Sequence, residues 1–69
     1  MATVNTVKEM AEFVDYAYPT MMAEKTLKAL HDAALEKKWY EARGHAMQAI
    51  VWLTEAHTAL RIMQQEDEK

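Results

Sequence analysis

One run of apolar residues constrains the fold of this 69-residue chain more than any other feature. In the second half of the chain, eight apolar residues follow one another at spacings that alternate between three and four. This alternation matches the period of an α-helix and is typical of a seam that packs against another helix. Because half of these residues are alanine, the pattern favours close packing in an antiparallel hairpin. The eight are Trp39, Ala42, Ala46, Ala49, Leu53, Ala56, Leu60 and Met63.

Two shorter helices are predicted before this seam. The Thr6 hydroxyl and the Glu9 carboxylate have the spacing of a capping box, which favours a helix start at Thr6. Pro19 predicts a break at residues 17–19, because proline lacks an amide hydrogen and suits the first turn of a new helix. The apolar spacing from Ala23 to Ala34 then predicts a second helix. The predicted helices span about 6–17, 20–36 and 39–65, with a frayed acidic tail at 66–69.

The turn between the second and third helices carries no ordinary turn residue. Residues 37–39 are Lys-Lys-Trp, and the chain has only one glycine and one proline. Two alternatives stay open at this point. The chain turns here into a hairpin, or residues 20–65 form one helix nearly 70 Å long at about 1.5 Å per residue.

The size of the chain favours self-association. A domain of about 60 residues buries only about 60% of its unfolded surface, and this chain has no cysteine for disulfide bonds or thiolate metal sites. We therefore predict a single all-α domain over residues 1–69. It consists of a short N-terminal helix followed by an antiparallel helical hairpin, packed with other copies as a homo-oligomeric helical bundle.

Part of the hairpin resembles a single tetratricopeptide unit over about 25 residues. The chain departs from that family at Leu30, which replaces a glycine, at Lys37-Lys38, which replaces the usual turn, and at Thr54, which replaces a proline. With no second copy, the resemblance implies a helix hairpin and not a peptide-binding solenoid. In size and composition the chain also resembles small phage-encoded helical proteins. The residues that match the tetratricopeptide unit are Ala33, Trp39, Ala42, Ala46, Ala49 and Ile50.

Several function classes find no support in the sequence. His31, His45 and His57 lack the spacing that places two metal ligands on one helical face, and no cysteine or serine nucleophile exists. A net charge of −3 argues against nucleic-acid binding. No apolar run approaches the length of a membrane span. We predict a non-enzymatic protein without metal or cofactor, located in the cytoplasm, or in the host cytoplasm if a phage encodes it.

A second stripe on the third helix suggests an interface. It is distinct from the main seam, and its Trp and Ile side chains need cover from another copy, from a partner protein or from the first helix of the same chain. Two consecutive methionines after Pro19 cannot both face one core, so one of them is expected in a contact between chains or with a partner. The predicted interface residues are His45, Trp52, Ala59, Ile62, Met21 and Met22.

The leading function is a small helical interaction protein that binds and modulates a partner protein. The resemblance to phage proteins implies a specific version, an inhibitor of a host or defence protein. A first alternative is a protein that sequesters a small anionic nucleotide signal, using cations for phosphate and rings for stacking, although the same residues also suit a solvated turn. A second alternative is a structural assembly subunit. The candidate nucleotide-binding residues are Tyr16, Tyr18, Lys25, Lys37, Lys38, Trp39, Tyr40 and Arg43.

Overall fold

The computed structural model describes residues 14–68, which form two antiparallel α-helices joined by a short turn. Helix α1 spans Ala17–Leu35 and helix α2 spans Trp39–Asp67. The two helices pack against each other, and residues 14–68 contain no strand. The prediction of an all-α helical hairpin is confirmed. Within the described residues, neither helix is long and apolar enough to cross a membrane.

Helix α1 begins before Pro19, so the predicted break at residues 17–19 is wrong. Pro19 is the third residue of α1, where an amide hydrogen would have no partner inside the helix. The Asp15 carboxylate accepts a hydrogen bond from the Ala17 amide at 3.1 Å and supports the helix start. Most of the predicted helix at 6–17 lies outside the described residues, and residues 14–16 are not helical.

The turn at residues 36–38 decides between the hairpin and the single long helix. Lys37 adopts a left-handed backbone conformation, with a φ of 61°. Its amide donates to the Ala34 carbonyl at 3.0 Å, and the Lys38 amide donates to the Ala33 carbonyl at 2.9 Å. These two bonds form a Schellman motif, in which glycine is the usual left-handed residue. The chain therefore turns without glycine, and the lysine accepts the backbone strain.

The C-terminal end of α2 is more regular than predicted. The helix continues through Asp67, and the Glu68 amide donates to the Gln64 carbonyl at 3.0 Å. The Gln64 side-chain amide also donates to the Glu68 carboxylate at 3.0 Å. The predicted fraying at 66–69 is thus wrong for residues 66 and 67, because bonds from Glu68 close the last turn. Residue 69 lies outside the described residues.

Small side chains fill the interior of the hairpin. No large side chain among residues 14–68 is fully buried. Thr26 is the buried polar residue, and its hydroxyl donates to the Met22 carbonyl at 2.8 Å, so it has a partner inside its own helix. Alanine allows two helix axes to approach near the lower end of the usual 8–10 Å range. The buried apolar residues are Ala23, Ala33, Ala42, Ala49, Ala56 and Ala59, together with Pro19.

Only half of the predicted seam on α2 faces α1. Ala42, Ala49 and Ala56 are buried against α1, whereas Trp39, Leu53 and Leu60 are exposed. The apolar residues of α2 form three parallel rows along the helix. A spacing that alternates between three and four describes the middle row together with the row on either side of it, so it fits both pairs equally well. In the structure the row that completes the contact with α1 is the one that contains His45, Trp52 and Ala59, and not the one that contains Leu53 and Leu60. We call this contact the inner seam of α2, formed by Ala42, His45, Ala49, Trp52, Ala56 and Ala59.

Candidate functional site

A second apolar surface lies beside the inner seam. Most of its members come one position after a residue that faces the other helix, as Leu27 comes after Thr26 and Leu53 after Trp52. Trp39 extends the same row, since it lies seven residues before Ala46. The bulky members are about half exposed or more, with Leu27 at 47%, Leu53 at 49% and Trp39 at 61%. We call this surface the outer apolar face. Its residues are Thr20, Leu27 and Ala34 of α1 and Trp39, Ala46, Leu53 and Leu60 of α2.

The contributions of both helices to the outer apolar face lie on one side of the hairpin. Each residue step turns a helix by about 100° in the same hand. Because α1 and α2 are antiparallel and face each other, the residue that follows a contact residue points to the same side of the hairpin in both helices. Leu27 of α1 and Leu53 of α2 therefore share one continuous surface.

A different surface covers the first two turns of α2 at the hairpin end. Tyr40, Arg43, Gly44 and Met47 line an open depression there, together with Ala46 of the outer apolar face. Tyr40 is 89% exposed and Met47 is 67% exposed, so neither side chain contributes to the packing of the two helices. We call these four residues the tip surface. Their spacing places them on the side of α2 that is turned away from α1.

Gly44 has no structural role inside the hairpin. A Cβ atom added at Gly44 would meet nothing within 4 Å, so no neighbouring backbone within residues 14–68 requires a glycine there. A glycine in a helix interior costs about 1 kcal/mol relative to alanine.

The predicted interface stripe faces α1 at His45, Trp52 and Ala59, whereas Ile62 lines an open depression with Val14 and Asp15, which precede α1. Trp52 is half-buried and packs edge-to-face on Tyr18, with ring centroids 5.8 Å apart and an angle of 83° between the planes. Ala59 is buried, and His45 and Ile62 are half-buried. Within the described residues Trp52 is covered in part by α1, which corresponds to the second of the predicted helices. Most of the predicted helix at 6–17, the third source of cover considered for Trp52, lies outside the described residues.

The two consecutive methionines point to different environments, as their spacing requires. Met21 is about half exposed, and Met22 is half-buried next to the contact with α2. Since successive residues of a helix point about 100° apart, only Met22 can reach that contact. Met21 is therefore the member of the pair that is available to another molecule.

The predicted nucleotide-binding residues do not form one cluster in the chain. Tyr16 and Tyr18 lie at the start of α1, whereas the other aromatic and most basic members surround the turn at 36–38. The nineteen residues from Tyr18 to Lys37 correspond to about 28 Å along a helix. The Lys38 ammonium is 3.9 Å from the Glu36 carboxylate, with both side chains more than half exposed. A single small ligand cannot contact both groups in one copy.

The outer apolar face and two members of the tip surface were not predicted from the sequence. Leu27 lies within the apolar spacing from Ala23 to Ala34 that predicts a helix, and Leu53 and Leu60 belong to the predicted seam of α2. The width of the stripe indicates that one row of α2 lies outside the contact, because a two-helix contact needs two rows and α2 carries three, but it does not identify which row. Gly44 and Met47 gave no pattern of their own.

Within residues 14–68, no group of three or more histidine, aspartate or glutamate side chains is arranged to hold a metal ion. No family model matches the chain, and neither a curated protein nor a solved structure matches it. The outer apolar face and the tip surface are therefore the features of the described residues from which a function can be inferred.

Proposed function

We propose that this chain is a non-catalytic helical module that binds and modulates another protein through the tip surface. The observation that carries the proposal is the exposure of Tyr40, whose ring is almost entirely in water although the fold does not require it there. Tyrosine and arginine are enriched among residues that dominate binding energy, and Tyr40 lies one helical turn from Arg43. Met47 adds a flexible apolar side chain next to them.

The charge around the turn indicates the chemistry of the partner. Residues 36–47 contain three basic side chains and two acidic ones, whereas the whole chain carries a net charge of −3. Complementary charge steers association and suppresses wrong partners. A partner with an acidic rim around an apolar pocket would fit Arg43 and Tyr40 together.

Gly44 supports the same surface for a different reason. It lies between Tyr40 and Met47 and forms the floor of the depression. Gly44 costs α2 about 1 kcal/mol, and no contact among residues 14–68 needs it, so a partner backbone that approaches closely would explain the glycine. An alanine methyl group at this position would hold such a partner away.

A protein partner fits the tip surface better than a small nucleotide does. Small-molecule sites are concave and bury about 70–90% of their ligand. The tip surface lies on one side of one helix, so it supplies no opposing wall. A protein partner brings its own concave surface, and Tyr40 with Arg43 can enter it.

The experiment is site-specific photocrosslinking in cells that express the chain. Benzoylphenylalanine in place of Tyr40 is expected to capture one partner covalently, and the same probe in place of Val51 is the control, because Val51 lies about three turns from Tyr40 along α2. Purified partner should then bind Tyr40→Ala and Arg43→Ala at least about tenfold more weakly than the parent chain. Identical capture from both positions, or none from position 40, would contradict the proposal.

Gly44→Ala separates binding from folding. The substitution should raise the free energy of unfolding by about 1 kcal/mol and weaken partner binding at the same time. A variant that is more stable than the parent chain but binds the partner more weakly cannot be explained by a general loss of structure. If Gly44→Ala bound the partner as well as the parent chain does, the glycine would have no role in recognition.

A further inference from the structure

The outer apolar face has a relief that is complementary to itself. The turn is centred on residue 37, so residues whose distances from it along the two helices differ by at most one position lie at nearly the same height along the hairpin. Three levels of the outer apolar face follow, and each combines one large side chain with one small one. The levels are Ala34 with Trp39, Leu27 with Ala46, and Thr20 with Leu53.

The large side chain alternates between the helices from one level to the next. Trp39 belongs to α2, Leu27 to α1 and Leu53 to α2 again. The small residue lies on the opposite helix at every level. The surface therefore presents a staggered set of three projections and three recesses.

A two-fold axis parallel to the helices converts this relief into a matching pair. The rotation places α1 of one copy over α2 of the other, with the heights unchanged. Leu27 of each copy then lies over the recess at Ala46 of the other copy, and Leu53 lies over Thr20. Side chains that alternate in size across facing positions interdigitate without voids.

We infer that the outer apolar face binds a second copy of this chain and that the two hairpins form an antiparallel four-helix bundle. In this arrangement every helix has antiparallel neighbours, as in up-and-down bundles. Each copy supplies the second layer of helices that the other lacks, because one hairpin alone is a single layer with an alanine interior. Both tip surfaces lie at the same end of the bundle and remain exposed.

The area of the face is sufficient for a stable dimer. The nineteen residues of α1 give a length of about 28 Å, and two helix diameters give a width of about 20 Å. With the part of α2 that extends past α1, the projected area is on the order of 700 Å². A specific interface buries about 800 Å² per partner, and interdigitating side chains bury more accessible area than their projection.

The test uses the size match between Leu27 and Ala46 of facing copies. Leu27→Ala empties a recess in both halves of a homodimer, and Ala46→Leu places two leucines against each other. When chains that carry these two substitutions are mixed, every recess in the heterodimer again holds one leucine. Native mass spectrometry of the mixture, with one chain isotopically labelled, is expected to show the heterodimer well above its statistical half share.

The parent chain should have twice the 8.0 kDa mass of one chain in sedimentation equilibrium at micromolar concentrations. Val51→Ala is the matched control, because it removes apolar volume on the side of α2 away from the face and should leave the dimer intact. A monomeric parent chain that unfolds cooperatively would overturn the inference, with the face covered by another segment of the same chain. A heterodimer at its statistical share would overturn the proposed pairing. Dimer mass and partner capture at Tyr40 are separate readouts, so one can fail while the other holds.

Discussion

The inner seam and the outer apolar face of α2 differ in a way that is the reverse of most small proteins. Ala42, Ala49 and Ala56 are buried between the helices, whereas Leu53 and Leu60 on the neighbouring row are about half exposed. Large aliphatic residues are normally the ones that cores bury. In this hairpin the small residues set the distance between the two helices, and the large residues are available for another contact.

Adjacent rows of α2 have two different tasks, since one row sets the distance to α1 and the other carries the large apolar side chains. Burying a leucine side chain contributes about 1.5–3 kcal/mol, and burying an alanine contributes much less because it removes little area from water. The inner seam therefore determines geometry more than it supplies free energy. Covering the outer apolar face would remove Leu27, Leu53 and Leu60 from water, and each of them is about half exposed.

The largest effect is expected from a large residue in the inner seam. Ala49→Leu adds three carbon atoms where the helices approach closely, so the free energy of unfolding should fall by about 2–3 kcal/mol. Urea unfolding followed by circular dichroism measures the change. Val51→Leu, which adds a methylene group at an exposed position of the same helix, should change stability by less than about 0.5 kcal/mol. Equal effects at the two positions would show that the inner seam is not closely packed.

Trp52 tests the one large side chain that the inner seam holds. Its ring is half-buried against Tyr18, so Trp52→Ala should cost about 2 kcal/mol, less than the 3–5 kcal/mol of a fully buried tryptophan. A double-mutant cycle with Tyr18→Ala should give a coupling energy of about 1 kcal/mol, as edge-to-face aromatic pairs do. Tyr40→Ala is the control for removing an aromatic ring from water. A coupling energy near zero would mean that the two rings do not interact in solution.

The helical content of the chain was predictable, and the assignment of faces was not. The spacing of three and four from Ala42 onward identified α2 and its start at Trp39. The same spacing cannot tell which of two neighbouring rows lies inward, since both rows obey it. Pro19 was assigned to a break because a proline in the first turn of a helix and a proline between two helices give the same sequence signal.

The candidate site was predictable in part. Tyr40 and Arg43 were predicted as nucleotide-binding residues from their residue types, and both lie on the tip surface. Tyr16 and Tyr18 were grouped with them, although the predicted helix over 20–36 already separates those two tyrosines from the turn by about 25 Å. The outer apolar face could not be predicted in the same way. It exists only if the two helices pair as an antiparallel hairpin, and the sequence left open whether the chain turns at residues 37–39.

The turn offers a gain of stability that leaves both surfaces unchanged. Lys37 has a left-handed conformation that costs an ordinary residue about 1–2 kcal/mol, and glycine adopts it without that cost. After the greater entropy of glycine in the unfolded chain is subtracted, Lys37→Gly should raise the free energy of unfolding by about 1 kcal/mol. Lys38→Gly is the control, because Lys38 has a negative φ and should lose stability. A loss of stability at both positions would contradict the left-handed turn.

The smallest expected effect compares one hydrogen bond inside and outside the hairpin. Thr26 and Thr54 each donate to the carbonyl four residues earlier at 2.8 Å, but Thr26 is buried and Thr54 is exposed. Valine has the same shape as threonine, and each carbonyl keeps its helical amide partner when the hydroxyl is removed. Thr26→Val should therefore gain a few tenths of a kcal/mol from a buried methyl group, and Thr54→Val should change little. Differential scanning calorimetry of both variants measures the difference. A larger gain in stability for Thr54→Val than for Thr26→Val would contradict this expectation. It would mean that the side of α2 with Thr54 is covered in the assembled protein and the side of α1 with Thr26 is not.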